Sequence, residues 1–210
     1  MLRIVLCLCI IALAGCGTTT KITNAWVAPD LKEKNLKGVL VIAVTERQDA
    51  RINFEDAYTA ALKNQGIHAV ASHTLVNGTA RKTTKDKIIA AAKQAGLDTL
   101  LLSHYAGTLE QPVYHPGTDY YSVIPAYGSN YGYGRFGGYY GEIVKVGSTA
   151  GIWTSNKHVM LVSDLYETAT EEPLWQATSE TIDPSNRIKL RDSVIQSFVG
   201  QMKKQGLIKK

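Results

Sequence analysis

Apolar and polar positions recur in several distinct rhythms along this chain, and each rhythm predicts an element. Val39-Leu-Val-Ile-Ala-Val44 is an unbroken, largely β-branched run of strand length, the pattern of a strand buried on both faces of a sheet. From Asn53 to Gln65, residues Phe54, Ala57, Tyr58, Ala61 and Leu62 recur at spacings of three and four. That spacing predicts an amphipathic helix, with Asn53 as N-cap and Gly66 just past its end. Ile67 to Ala71 predicts a second, short strand. After a polar loop over 72–82, Thr83 and Asp86 resemble a capping box for a helix carrying Ile88, Ile89, Ala91, Ala92 and Ala95 and stopped by Gly96. Thr99 to Tyr105 predicts a third strand. His158 to Glu167 and Leu174 to Ile182 predict two more, joined by a hairpin loop over 168–173. Asp183-Pro184 then opens a final helix whose apolar stripe is Ile188, Ile195, Phe198, Val199 and Met202.

The rhythm breaks between the third and fourth of these strands. Residues 111–151 hold eight of the eleven tyrosines together with Pro112, Pro116 and Pro125, and no helical period survives there. The predicted order is therefore β-α-β-α-β-(long loop)-β-β-α. This is an α/β fold with helices packed on a single mixed sheet that contains at least one parallel pair. A long excursion in a compact domain is usually functional or disordered. Tyrosine supplies a large contact area at low entropy cost and keeps a hydroxyl for hydrogen bonds, while glycine lets the backbone adapt. Tyr120, Tyr121, Tyr127, Tyr131, Tyr133, Tyr139 and Tyr140, with Trp153 at the base of the excursion, are thus candidate binding residues for a protein, peptide or glycan strand. The alternative is a loop that folds over the sheet edge or is simply disordered.

The N-terminus carries a different pattern. Arg3 is followed by an apolar run from Ile4 to Leu13, two small residues, Ala14 and Gly15, and Cys16. A basic n-region, a short h-region and small residues before a cysteine form a bacterial lipoprotein signal, and the run is too short to span a bilayer. Residues 1–15 are then a signal peptide, 16–36 a lipidated tether and 37–210 the α/β domain. Within the tether, Trp26 is expected to pack back on the domain. Cys16 would carry diacylglycerol on its thiol and a further acyl chain, such as palmitate, on its amine, which gives stable anchoring. Gly17, rather than Asp, follows the cysteine, which favours the outer membrane with the domain facing the periplasm. Cys7 and Cys9 leave with the signal, so the mature chain has no thiol pair for a disulfide.

Charge and motifs narrow the chemistry. A formal net charge of +5 with scattered lysines, and no basic-aromatic recognition module, argues against nucleic acid as a partner. Gly132-Tyr-Gly134-Arg-Phe-Gly137 matches a dinucleotide fingerprint in letters but lacks the strand before it and the helix after it. His68, His73, His104, His115 and His158 show no close ligand spacing, although His104 and His158 would approach if their strands paired. No nucleophile elbow or S-x-x-K occurs. Catalytic residues, metal ligands and cofactors are therefore expected to be none, apart from the covalent lipid. The expected function is a non-catalytic, lipid-anchored accessory protein that touches the membrane through its lipid and binds an envelope protein or peptidoglycan. One alternative is a cell-wall-acting enzyme with a carboxylate pair. For that role the adjacent Glu171 and Glu172 read as solvated loop residues. The other alternative is a self-associating structural lipoprotein.

Several stretches carry a resemblance: Ala25-Trp-Val-Ala-Pro-Asp30, Gly38 to Val44, Phe54-Glu-Asp56, Gly66 to Ser72, Leu165 to Thr170, Leu174-Trp175 with Ser179-Glu-Thr181, and Gly206-Leu-Ile208. Over nearly the whole mature chain these resemble bacterial envelope lipoproteins related to the domain of unknown function 4136. The resemblance implies the envelope location and brings no set of functional residues with it.

Overall fold

The computed structural model describes residues 20–29, 31, 38–78, 83–124 and 142–208. They divide into two compact units, one running to Leu109 and resuming at Lys157, the other comprising Glu110–Asn156.

In the first unit, β2 (Val39–Val44) pairs in parallel with both β3 (Ala69–Ala71) and β4 (Thr99–His115). Its apolar run is buried on both faces, as its sequence predicts. Val39 and Val41 enter one core cluster, Leu40 and Ile42 the other. Helices α1 (Gln48–Lys63) and α3 (Arg187–Lys204) supply Tyr58, Leu62, Val194, Phe198 and Met202 to the first cluster. Helix α2 (Lys85–Gln94) supplies Ala92 and Ile88 to the second. The sheet is completed by β7 (Ile152–Glu167), β8 (Pro173–Ile182) and β1 (Thr20–Val27), in the order β1-β8-β7-β4-β2-β3. The α/β class with helices on a mixed sheet is thus the observed one.

Four features differ from the sequence expectation. Residues 20–27, read as part of a tether, form β1, an edge strand antiparallel to β8 from Thr20↔Thr181 to Val27↔Trp175. The sheet is not single, because β5 (Asp119–Ile124) and β6 (Glu142–Ser148) form a separate antiparallel pair. Helix α1 starts five residues before Asn53, whose side chain donates to the Asp49 carbonyl at 2.8 Å instead of capping. Asn186, rather than Asp183, caps α3, accepting the Lys189 N–H at 2.9 Å. Asp183 is held at φ 45° with its carboxylate on the Lys157 N–H at 2.7 Å.

Candidate functional site

The Tyr/Gly-rich excursion is built on strands at its base. In the Glu110–Asn156 unit, the end of β4 and the start of β7 bring Tyr114 beside Trp153, with ring centroids 5.0 Å apart and planes tilted by 46°. Next to them, a His115 ring nitrogen and the Thr154 hydroxyl share a hydrogen bond of 2.9 Å. Gly151 lies under the Tyr114 ring, and a Cβ built there would overlap the phenol end. The Thr118–Thr149 pair closes the neighbouring hairpin, Thr149 N–H donating to the Thr118 carbonyl at 2.9 Å. Lys145 and Asp119 form an ion pair at 2.6 Å across β5 and β6. On this framework Trp153 is 69% exposed, Tyr114 52%, Tyr120 54% and Ile152 60%. These side chains therefore present their apolar faces to solvent.

Of the predicted binding residues, Tyr120 and Tyr121 stand on β5 and Trp153 on β7. Tyr127, Tyr131, Tyr133, Tyr139 and Tyr140 lie outside the described residues, as do Cys16 and the glycines of 132–137. Tyr114 was not singled out among the tyrosines by sequence. Its signal is its position opposite Trp153, which only strand pairing creates.

The other polar cluster is sealed inside the first unit. Glu55 is fully buried, and its Oε1 accepts from Arg51 Nε at 2.9 Å, the Ala43 N–H at 3.0 Å and the Ser72 hydroxyl at 2.7 Å. Its Oε2 accepts from the His73 N–H at 2.7 Å. Arg51 in turn donates from Nη2 to the Ser72 hydroxyl at 2.7 Å and from Nη1 to the Val76 carbonyl at 3.3 Å. Both charges are satisfied, so the cluster ties α1 to the end of β2 and to the turn at Ser72–Thr74.

The histidines do not converge. His158 Nδ1 is hydrogen-bonded to Glu180 at 2.8 Å and His73 Nε2 to Asp56 at 2.7 Å. β4 and β7 do pair, and Ser103 meets Ser163 across them, their hydroxyls 2.8 Å apart, whereas the hydrogen-bond partner of His158 is Glu180 of β8. Among the described residues no group of three or more His, Cys, Asp or Glu could hold a metal. Of the adjacent acids, Glu171 is bonded to Lys85 Nζ at 2.8 and 3.1 Å. An open cleft of about 670 Å³ runs between β1 and α3, with Lys21, Gly200, Gln201 and Lys204 on its walls. No described helix is long and apolar enough to cross a membrane.

No protein-family model matches this chain, so the resemblance to the domain of unknown function 4136 rests on the quoted stretches alone, and no curated protein matches it either. Solved structures do. A PelC dodecamer from Paraburkholderia phytofirmans is 12% identical, with 85% of this chain and 95% of that chain covered and a TM-score of 0.41. Lipoprotein GNA1162 from Neisseria meningitidis is 11% identical over 80% of this chain and 98% of that one, with a TM-score of 0.41. A PDZ domain protein from Parabacteroides distasonis is 9% identical over 93% of this chain and 38% of that one, with a TM-score of 0.36.

Proposed function

We propose that this chain is a lipid-anchored envelope lipoprotein of the outer membrane, facing the periplasm, that acts by binding and not by catalysis. The reading takes its anchor from the Arg3–Cys16 signal and its binding surface from the aromatic residues of 110–156. The observation that carries it is the exposed Tyr114–Trp153 pair, held on a hydrogen-bonded strand framework instead of being folded into a core. A rigid, amphipathic aromatic patch of this kind loses little entropy on binding. The placement of the carboxylates also supports binding over hydrolysis: Glu55 is sealed in the core and Glu171 is bound to Lys85.

Two measurements test this. Metabolic labelling with palmitate should mark the native chain and fail to mark Cys16→Ser. Crosslinking in living cells should give adducts with the native chain that are lost from a Tyr114→Ala, Trp153→Ala variant. Unchanged adducts would remove the aromatic patch as the binding surface.

A further inference from the structure

The segment that leads to the lipid and the segment that carries Trp153 leave the sheet at the same end. Thr181 of β8 has Thr20 as its ladder partner on one side and Val159 on the other. Both flanking strands run antiparallel to β8, so β1 and β7 are parallel to each other and level at this row. Two strand spacings put Thr20 and Val159 about 10 Å apart. Going backward from Thr20, three residues, 17–19, precede it before Cys16 is reached. Going backward from Val159, the chain reaches Lys157, clamped to Asp183 by bonds of 2.7 and 2.8 Å, and four residues earlier Trp153. At about 3.3–3.6 Å per residue, Cys16 lies within about 14 Å of Thr20, and Trp153 within about 14 Å of Lys157. With Cys16 acylated, an anchor this short would hold that end of the sheet near the bilayer; a tether running to residue 36 would not.

We propose that the surface formed by Tyr114, Ile152 and Trp153 docks in the headgroup–acyl boundary of the membrane that holds the acylated Cys16. This rests on the lipoprotein reading above and names the partner of the same surface. Tryptophan and tyrosine favour this boundary because each has an apolar ring to bury and a polar edge to leave wet. Trp153, Ile152 and Tyr114 present that chemistry to solvent. The four-residue lengths from Thr20 to Cys16 and from Lys157 to Trp153 are short enough for the lipid and Trp153 to meet one membrane surface. The lipid then anchors the protein, and the aromatic surface fixes its orientation.

The test uses the full mature, acylated chain in vesicles of phosphatidylethanolamine and phosphatidylglycerol, with acyl chains brominated near the headgroup. Three tryptophans report: Trp175 is buried, Trp26 is removed as Trp26→Phe, and Trp153 remains. Trp153 emission is expected to shift to the blue and to be quenched by the brominated chains. Both effects should vanish in Trp26→Phe, Trp153→Phe, whose remaining Trp175 emission confirms the folded state. Unshifted, unquenched Trp153 emission from protein that floats with the vesicles overturns the proposal. So does a shift that appears only at high protein density and is lost on dilution, which would mean that the surface contacts a second copy. If the native chain does not float, or Cys16→Ser floats equally well, the lipoprotein reading itself fails.

Discussion

Tyr114 and Trp153 come from strands 39 positions apart in the chain, yet their ring centroids lie 5.0 Å from each other. Gly151 makes the approach possible, since the phenol end of Tyr114 occupies the space a Cβ would fill. In Gly151→Ala the flexible ring must swing away, because the ring yields more easily than the strand. The near-ultraviolet circular dichroism arising from the Tyr114–Trp153 contact should fall to the level of Trp153→Ala. The folding free energy of the 1–109/157–210 unit should change by less than about 0.5 kcal/mol, since neither residue belongs to its core clusters.

Arg51 and Glu55 should dominate the polar contribution to stability. Both side chains are sealed from water, and Arg51 Nε meets Glu55 Oε1 at 2.9 Å one helical turn away. Arg51→Met leaves a buried carboxylate without its counter-charge, a loss of about 3–5 kcal/mol. Urea unfolding should show this as a lower midpoint with an unchanged slope. Ser72→Ala removes one neutral donor from the same carboxylate and should cost less, about 1–3 kcal/mol.

Tyr58 predicts a loss of stability in alkali. Its hydroxyl is fully buried and makes no hydrogen bond within 3.5 Å among the described residues, and burial raises the phenol well above its ordinary value, offset only in part by the nearby Ser163 hydroxyl. The folded state therefore holds this proton more tightly than the unfolded chain does. The sign follows: the stabilisation is complete below the unfolded value of about 10 and is lost as pH rises above it, by up to about 1.4 kcal/mol per pH unit. Tyr166 is also raised, by burial and by the nearby Asp164 charge, so the two contributions need separating. The slope of stability against pH above 10 should be shallower in Tyr58→Phe than in the native chain.

Gly200 lies inside α3, faces the β1–α3 cleft and has no atom within 4 Å of the place a Cβ would take. Glycine in a helix interior costs about 0.5–1 kcal/mol relative to alanine, and packing offers no return for it here. Gly200→Ala should raise the thermal midpoint by an amount matching that gain. A fall would mean that the cleft closes more tightly in solution than its open walls indicate.

The elements that could be read from sequence are those whose pattern is local. The run Val39–Val44 announced a strand buried on both faces, and the stripes of α1 and α3 announced most of the residues that meet it; Ile188, read into the α3 stripe, is instead 64% exposed, and Val194 takes the buried place. β1 could not be read this way, because the ladder shifts register between Ile22 and Asn24. Ile22 packs on the core before the bulge, Ala25 and Val27 after it, so the inward set changes from even to odd positions and the period of two disappears. β5 and β6 are concealed similarly, with a shift between Tyr120 and Tyr121 inside a stretch whose tyrosines and glycines suggested a loop. Asn53 read as a cap because Asn competes for backbone hydrogen bonds, and it uses that ability inside the helix, on the Asp49 carbonyl.

What the sequence determined by itself is therefore one-dimensional: which residues face a core, where helices end, which stretch collects the tyrosines, and the cysteine motif that predicts an anchor. The tertiary structure decided what depends on partners distant in the chain. It placed Tyr114 against Trp153, sealed Arg51 and Glu55 behind Ser72, and set Thr20 level with Val159 on either side of Thr181. The physical reason is that periodicity records only whether a side chain meets water or core. Ladder register and desolvated charge pairs are fixed when separate segments compete for the same hydrogen bonds.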